Sequence, residues 1–202
     1  MSICYIVGAG DFPYGFSPSE EDLVIAADGG YDHLKSNNIR CDLLLGDLDS
    51  VSSVPSNVEM LKFPVRKDET DMHLAFLEGK ARGYSEFHIY GGSGGRDDHT
   101  FANYCLLMYI REHGGRATLF SKSSYVTLIK GENITIRGKR GNHLSLFPFG
   151  SPCTGVTVKG AEYECENIGL FPDFPITASN RFLDRAVFIS VRQGALLIIG
   201  EI

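Results

Sequence analysis

The residues of this 202-residue chain best able to do chemistry are aspartates that follow short apolar runs. Asp28 comes after Leu23–Ala27, Asp47 and Asp49 after Leu43–Leu45, Asp68 and Asp71 after Phe63-Pro64, and Asp97 and Asp98 after Phe87–Tyr90. If these runs are strands of one open parallel sheet, their carboxyl ends form a single crevice, and the aspartates converge on it. Gly46-Asp47-Leu48-Asp49-Ser50 puts two carboxylates two residues apart in a turn, where both reach one divalent cation or its water shell. Hard oxygen donors favour Mg²⁺ there, although most loop aspartates do no more than form Asx turns. Asp68 as an N-cap and Asp71 as a first-turn acid would stabilise a helix start without further function. Asp71 would also complete a metal or proton-accepting site opposite Asp47 and Asp49.

A second kind of chemistry is written in Gly91-Gly92-Ser93-Gly94-Gly95-Arg96-Asp97-Asp98-His99, which links an apolar run to a helical one. So many glycines let consecutive backbone N–H groups turn toward an anion, and Arg96 adds a bidentate phosphate donor in front of a helix dipole. A flexible connector has the same composition. His99 fits a ligand or proton carrier and equally a first-turn structural histidine. No Gly-x-x-x-x-Gly-Lys-[Ser/Thr] motif occurs, so this is not a P-loop. Carboxylates for Mg²⁺ and a glycine nest for phosphates together imply phosphoryl or pyrophosphoryl transfer from a nucleotide.

Such a crevice needs strands with helices between them. Ile3–Val7, Leu23–Ala27, Asp42–Leu45, Glu59–Phe63, Phe87–Tyr90 and Ala117–Phe120 read as strands. Met72, Ala75, Phe76 and Gly79 fall at helical spacing, as do Phe101, Cys105 and Met108, and a shorter helix spans Gly30–Asn37. Beyond Tyr125 the helical period vanishes and short alternating segments take over: Ile134–Arg137, His143–Phe147, Gly155–Lys159, Ala186–Arg192 and Ala195–Ile199, with Arg192-Gln193-Gly194 expected as a hairpin turn. The expected organisation is an α/β domain over residues 1–124, a mostly parallel sheet with flanking helices, and an antiparallel β-domain over 125–202.

With 43% hydrophobic and 22% charged residues, the composition is that of a folded globular chain. A net charge of -6 argues against a surface for nucleic acid or anionic membrane. No apolar run approaches the roughly 20 residues of a membrane span. The start has no basic region before its short apolar stretch, so a cytosolic protein is expected. The five cysteines are scattered, with no Cys-x-x-Cys pair, and read as reduced core residues.

Four ordered motifs, Ala26-Ala27-Asp28-Gly29-Gly30, Gly46-Asp47-Leu48-Asp49-Ser50, Lys67-Asp68-Glu69-Thr70-Asp71 and Gly91 to His99, resemble those of thiamine pyrophosphokinases. Gly169-Leu170-Phe171 and Ser179-Asn180 are similar to that family's thiamine-site segments. The resemblance implies an N-terminal catalytic domain, a C-terminal β-sandwich, and a homodimer with sites between subunits. The reaction it implies is ATP plus thiamine giving AMP and thiamine pyrophosphate. Asp47, Asp49 and Asp71 would hold Mg²⁺. Asp28 and Gly29 would sit by the nucleotide phosphates, and Gly92, Gly94, Gly95, Arg96, Asp98 and His99 would line the ATP site. Thr70 and Asp71 would lie by the substrate, and Ser179 and Asn180 would contact thiamine. Phe171 and Phe182 are candidates to stack on its rings. Arg181 stands where the family usually has an acidic residue. Three other readings compete: a haloacid-dehalogenase-like phosphatase, from Asp47-Leu48-Asp49-Ser50; a pyrophosphokinase for a pterin alcohol; and a non-catalytic nucleotide sensor.

Overall fold

The computed structural model describes residues 2–13, 15–47, 58–64 and 68–202. The chain divides into two units, Met1–Lys122 and Ser123–Ile202. In the first unit β1 (Cys4–Val7), β2 (Leu23–Ala27), β3 (Leu43–Gly46) and β4 (Glu59–Lys62) are joined in space by β5 (Glu86–Tyr90) and β6 (Arg116–Phe120). Every pairing is parallel, in the order β4-β3-β2-β1-β5-β6. The chain moves outward from β1 to β4 and then returns to the other side of β1 for β5. The carboxyl ends of β1 and β5 are therefore the point where the direction of winding reverses, which is where open α/β sheets form their ligand crevice.

Helices cover both faces of this sheet: α1 (Gly30–Ser36) on one, α2 (Asp71–Ala81) and α3 (Asp97–Glu112) on the other. Beneath α1 lie Tyr5, Val7, Val24, Ala26 and Leu44 with the helix's own Tyr31 and Leu34. The expected stripe of α2, Met72, Ala75, Phe76 and Gly79, is the buried one. Phe76 is fully buried edge-on to Phe87, at 5.0 Å between ring centres, and such burial contributes about 2 kcal/mol. Gly79 lets α2 come close, since a Cβ there would stand 2.7 Å from the Cys4 sulfur. The cap of α2 differs from expectation: Thr70, not Asp68, is the N-cap, its Oγ1 accepting the His73 N–H at 3.2 Å. In α3 the buried stripe is Asn103, Leu106, Leu107 and Ile110, whereas Phe101 and Cys105 are exposed. Both stripes have helical spacing, and the one with more branched apolar residues faces the sheet. Cys105 is thus no core residue. Cys4 is, and burial pushes its thiol pKa up to about 12, which makes it inert.

The second unit is all antiparallel: β7 (Ser124–Lys130), β8 (Asn133–Arg137), β9 (His143–Lys159), β10 (Cys165–Leu170), β11 (Asn180–Arg181), β12 (Ala186–Ser190) and β13 (Gln193–Glu201). Instead of two strands, His143–Phe147 and Gly155–Lys159, there is one of 17 residues. Its first half pairs with β13 in one sheet and its second half with β10 and β12 in the other. The change of sheet falls around Gly150, at φ 78°, with a register shift in β13 opposite. Turn-forming residues here bend a strand rather than end it. Arg192-Gln193-Gly194 is likewise no hairpin: β12 pairs with β8 and β9, β13 with β7 and β9, so this turn carries the chain from one sheet to the other. Leu144, Leu146, Val156, Val158, Phe182, Val187, Ile189, Leu196 and Ile198 fill the space between the sheets. No helix of the described residues is long and apolar enough to cross a membrane.

Gly30 starts α1 hard against β1, where a Cβ would lie 1.9 Å from the Val7 carbonyl oxygen. No side chain can yield there, so Gly30→Ala must push α1 off the sheet. The expected cost is about 3 kcal/mol, read as a lower urea midpoint. Gly83→Ala, at φ 92° with open space around it, is expected to lose no more than about 1–2 kcal/mol.

Candidate active site

At the switch point two glycine-bearing loops are joined by backbone hydrogen bonds. Gly8 N–H donates to the Tyr90 carbonyl at 2.8 Å, Gly10 N–H to Gly91 at 2.8 Å, and Asp11 N–H to Ser93 at 2.7 Å. Side chains have no room at this junction. A Cβ on Gly10 would be 2.5 Å from the Ser93 oxygen, and one on Gly91, at φ 63°, 2.1 Å from the Gly8 oxygen. Asn103, the one polar residue on the buried face of α3, donates its Nδ2–H to the Gly92 carbonyl at 2.7 Å. The carbonyls of Gly91, Gly92 and Ser93 are thus each held from outside the loop. Because a trans peptide sets N–H opposite C=O, the amides of Gly92, Ser93 and Gly94 are turned away from those donors. Successive amides turned from the loop's own supports are the donors that an anion nest requires. His33 steadies the first loop, its Nε2–H donating to the Gly10 carbonyl at 2.9 Å while its ring stacks on Phe12.

Beside these loops lies a cavity of about 490 Å³, within the range of small-ligand sites. Of the expected residues, Asp28, Thr70, Asp71, Gly92, Gly94, Gly95, Arg96 and His99 line it. Asp28 holds a left-handed φ of 48°, tolerated by aspartate and fixed by its N–H bond to the Leu45 carbonyl at 2.8 Å. Thr70 reaches the cavity as the cap of α2, and Asp71 as its first residue. Gly29, Asp47 and Asp98 do not line this cavity. Asp47 follows Gly46, which abuts Asp28 so closely that a Cβ would be 3.3 Å from its backbone. Asp49 lies outside the described residues. Among the described residues no three His, Cys, Asp or Glu side chains gather closely enough to hold a metal ion by themselves. In nucleotide sites Mg²⁺ is held by one or two carboxylates together with substrate phosphates, and Asp28 and Asp71 fit that donor set.

Asp98 instead holds Arg96: Nη2 to Oδ2 at 2.5 Å and Nε to Oδ1 at 3.1 Å. This fork raises the guanidinium pKa and keeps the Asp98 carboxyl below its usual range. Asp98 is a positioning residue for Arg96 rather than part of the wall.

In the second unit Asn180 is buried, and its side-chain amide is engaged. Its Oδ1 accepts from the Tyr163 and Arg181 N–H groups at 3.0 and 2.9 Å, and its Nδ2 donates to the Tyr163 carbonyl at 2.8 Å. Asn180 pairs with Tyr163 as a strand residue would. Tyr163, whose backbone it holds, is 68% exposed. Ser179 takes a left-handed φ of 60°, its N–H bonded to Ser145 Oγ at 3.0 Å. Phe171 is exposed, but Phe182 is buried against Gly138 and has no face left for a ligand.

The sequence model "Thiamin pyrophosphokinase, catalytic domain" matches residues 18–119, and "Thiamin pyrophosphokinase, vitamin B1 binding domain" matches 132–196. The chain belongs to the thiamine pyrophosphokinase family. It transfers pyrophosphate from ATP to the hydroxyl of thiamine, giving thiamine pyrophosphate and AMP. It is similar to the thiamine pyrophosphokinase of Bacillus subtilis (strain 168), 24% identical over 187 residues that cover 89% of this chain and 87% of that one. A crystal structure of thiamine pyrophosphokinase from B. subtilis has the same fold, with a TM-score of 0.86 at 22% identity over 100% of this chain and 99% of the other. One from Candida albicans gives 0.76 at 14% identity, over 99% and 88%. None of these matches favours the phosphatase or pterin readings.

The motifs read from the sequence do not include Gly8, Gly10, Asn103 and Tyr163. The first two were visible as Gly-x-Gly directly after a strand, and Asn103 as a polar residue in phase with Leu106, Leu107 and Ile110. Asn103→Leu keeps the branched shape but leaves the buried Gly92 carbonyl without its donor. It is expected to cost about 1–3 kcal/mol of stability and to weaken ATP binding in calorimetry. Parent-like affinity would show that the tie to Gly92 does not shape the loop.

Proposed function

We propose that the cavity at the ends of β1 and β5 is the ATP site, and that thiamine is held by the β-domain, with Mg²⁺ between the phosphates and the aspartates. The observation that carries this reading is the convergence of Asp28, Asp71, the Gly91–Gly95 loop and Arg96 on one cavity. The cavity supports Asp71 and Asp28 beside the metal and phosphates, and Asp47 and Asp49 are added as metal ligands on the family likeness alone. When bound, the ion would draw charge from the phosphate oxygens. The loop amides and Arg96 orient the polyphosphate and steady the charge that builds on the oxygen between the α and β phosphorus atoms. The thiamine hydroxyl oxygen bonds to the β phosphorus and gives up its proton to solvent, the bridge from the β phosphorus to the α-phosphate oxygen breaks, and AMP leaves with that oxygen, so ADP does not form. On the thiamine side, Asn180 holds the Tyr163 backbone and Tyr163 itself is exposed, which leaves its ring available to stack on a cationic heterocycle. Consumption of ATP supports a place in the cytoplasm.

Asp71→Asn should lower turnover by about 10²-fold or more while costing no more stability than a first-turn acid contributes, about 0.3–1 kcal/mol. Chromatography of the parent reaction should give AMP. Near-parent turnover would remove Asp71 from the machinery, and ADP with thiamine monophosphate would make the enzyme an ordinary kinase.

The assembly we propose is a homodimer in which one chain's aspartates face the other's β-domain. It is supported by the sequence division between phosphate-type residues, all before residue 100, and a vitamin B1 binding match over 132–196. Co-expressing an Asp71→Asn chain with an Asn180→Ala chain, each inactive alone, should restore roughly a quarter of parent activity, since half of randomly paired dimers carry one intact site of two. Mixed dimers that co-purify yet stay inactive would show that each tail serves its own chain.

A further inference from the structure

Lys122 stands two residues beyond β6, the strand beside β5 and its glycine loop. Its ammonium lies 3.2 Å from Asp11 Oδ1. Asp11 in turn is built onto that loop. Its N–H is bonded to the Ser93 carbonyl, and its carboxylate fills the space beside Gly94, where a Cβ would be 2.4 Å from Cγ and 2.6 Å from Oδ2. The Lys122 charge is therefore separated from Gly94 by a single carboxylate.

We infer that Lys122 is a further phosphate-binding residue of the nucleotide site, held over the glycine loop by Asp11 until a polyphosphate takes that carboxylate's place. The inference rests on the reading of this loop as the ATP site. Charge is one reason for it. The chain carries a net charge of -6, and among the described residues lining the cavity Arg96 is the one Lys or Arg, already forked onto Asp98. A polyanion entering there needs more cationic charge than one shared guanidinium. Exchangeability is the other. The Lys122 and Asp11 side chains are 65% and 51% exposed, so their pair is screened by water and weakly held. A phosphate chain offers several charged oxygens to the same ammonium and makes stronger, charge-assisted bonds. The stem of Lys122 is long and flexible enough to turn from Asp11 to an anion on Gly94 without moving the backbone.

The test is calorimetric titration of the full chain with Mg²⁺ and α,β-methylene ATP, in which the transferable bond is blocked. Lys122→Met is expected to weaken binding at least five-fold with an unchanged unfolding curve, and Lys122→Arg to restore most of it. Asp11→Asn, which keeps the shape and removes the competing charge, should bind as tightly as the parent or more tightly. If the pair were only a clamp on the loop, Asp11→Asn would weaken binding as Lys122→Met does, and that result overturns the inference. Unchanged affinity in Lys122→Met overturns it as well. Arg96→Ala separates the two readings: loss of binding there but not in Lys122→Met removes Lys122 alone, whereas loss in neither removes the ATP assignment with it.

Discussion

Two loops meeting backbone to backbone at the ends of neighbouring parallel strands is the constraint on which the rest of the catalytic unit depends. Residues 8, 10 and 11 donate their N–H groups to residues 90, 91 and 93, and a Cβ at 8, 10 or 91 would stand 2.8, 2.5 or 2.1 Å from a backbone oxygen. Glycine at 8, 10 and 91 is the only solution, and it fixes where the β5 loop can go. Once there, the loop has its carbonyls bound from behind, by the β1 loop and by Asn103, and its amides set the other way. The loop is thereby organised by the fold itself, and in the proposed ATP site such fixed dipoles would act in catalysis.

The same end of the sheet holds the carboxylates. Asp28 is in a left-handed conformation at the end of β2, locked by Leu45 on β3 and by the close approach of Gly46. Strain of this kind persists where neighbouring structure over-determines it, and it sits here facing the cavity. Thr70 and Asp71 arrive from another direction, as the cap and first residue of α2, whose position is set by Gly79 against Cys4 and by Phe76 against Phe87. The placement of Thr70 and Asp71 at the cavity is a consequence of helix–sheet packing several residues away.

The strands of the parallel sheet and the crevice that collects Asp28, Asp71 and Arg96 were legible in the sequence, because a parallel sheet buried on both faces is written in short continuous apolar runs. What was not legible was competition between equivalent local signals. Thr70 and Asp68 are both good caps, and tertiary packing chose where α2 begins. Phe101-Cys105-Met108 and Leu106-Leu107-Ile110 are both helical stripes, and the choice depends on the sheet that α3 meets. Gly150-Ser151-Pro152 and Arg192-Gln193-Gly194 look like turns that end strands, yet here they move the chain between sheets, a long-range property that local residue types do not encode. Asn180 drew attention through the likeness of Ser179-Asn180 to the family's thiamine-site segment, and only its partners reveal that its amide is occupied by Tyr163.

The central claim is that the amides of Gly92, Ser93 and Gly94 form the phosphate cradle. Amide-resolved NMR of the ¹⁵N-labelled chain, titrated with Mg²⁺ and α,β-methylene ATP, addresses it directly. The account predicts that these three N–H resonances move downfield and become protected from hydrogen exchange in step with ligand binding. Saturating binding that leaves all three unmoved while other resonances shift would contradict it.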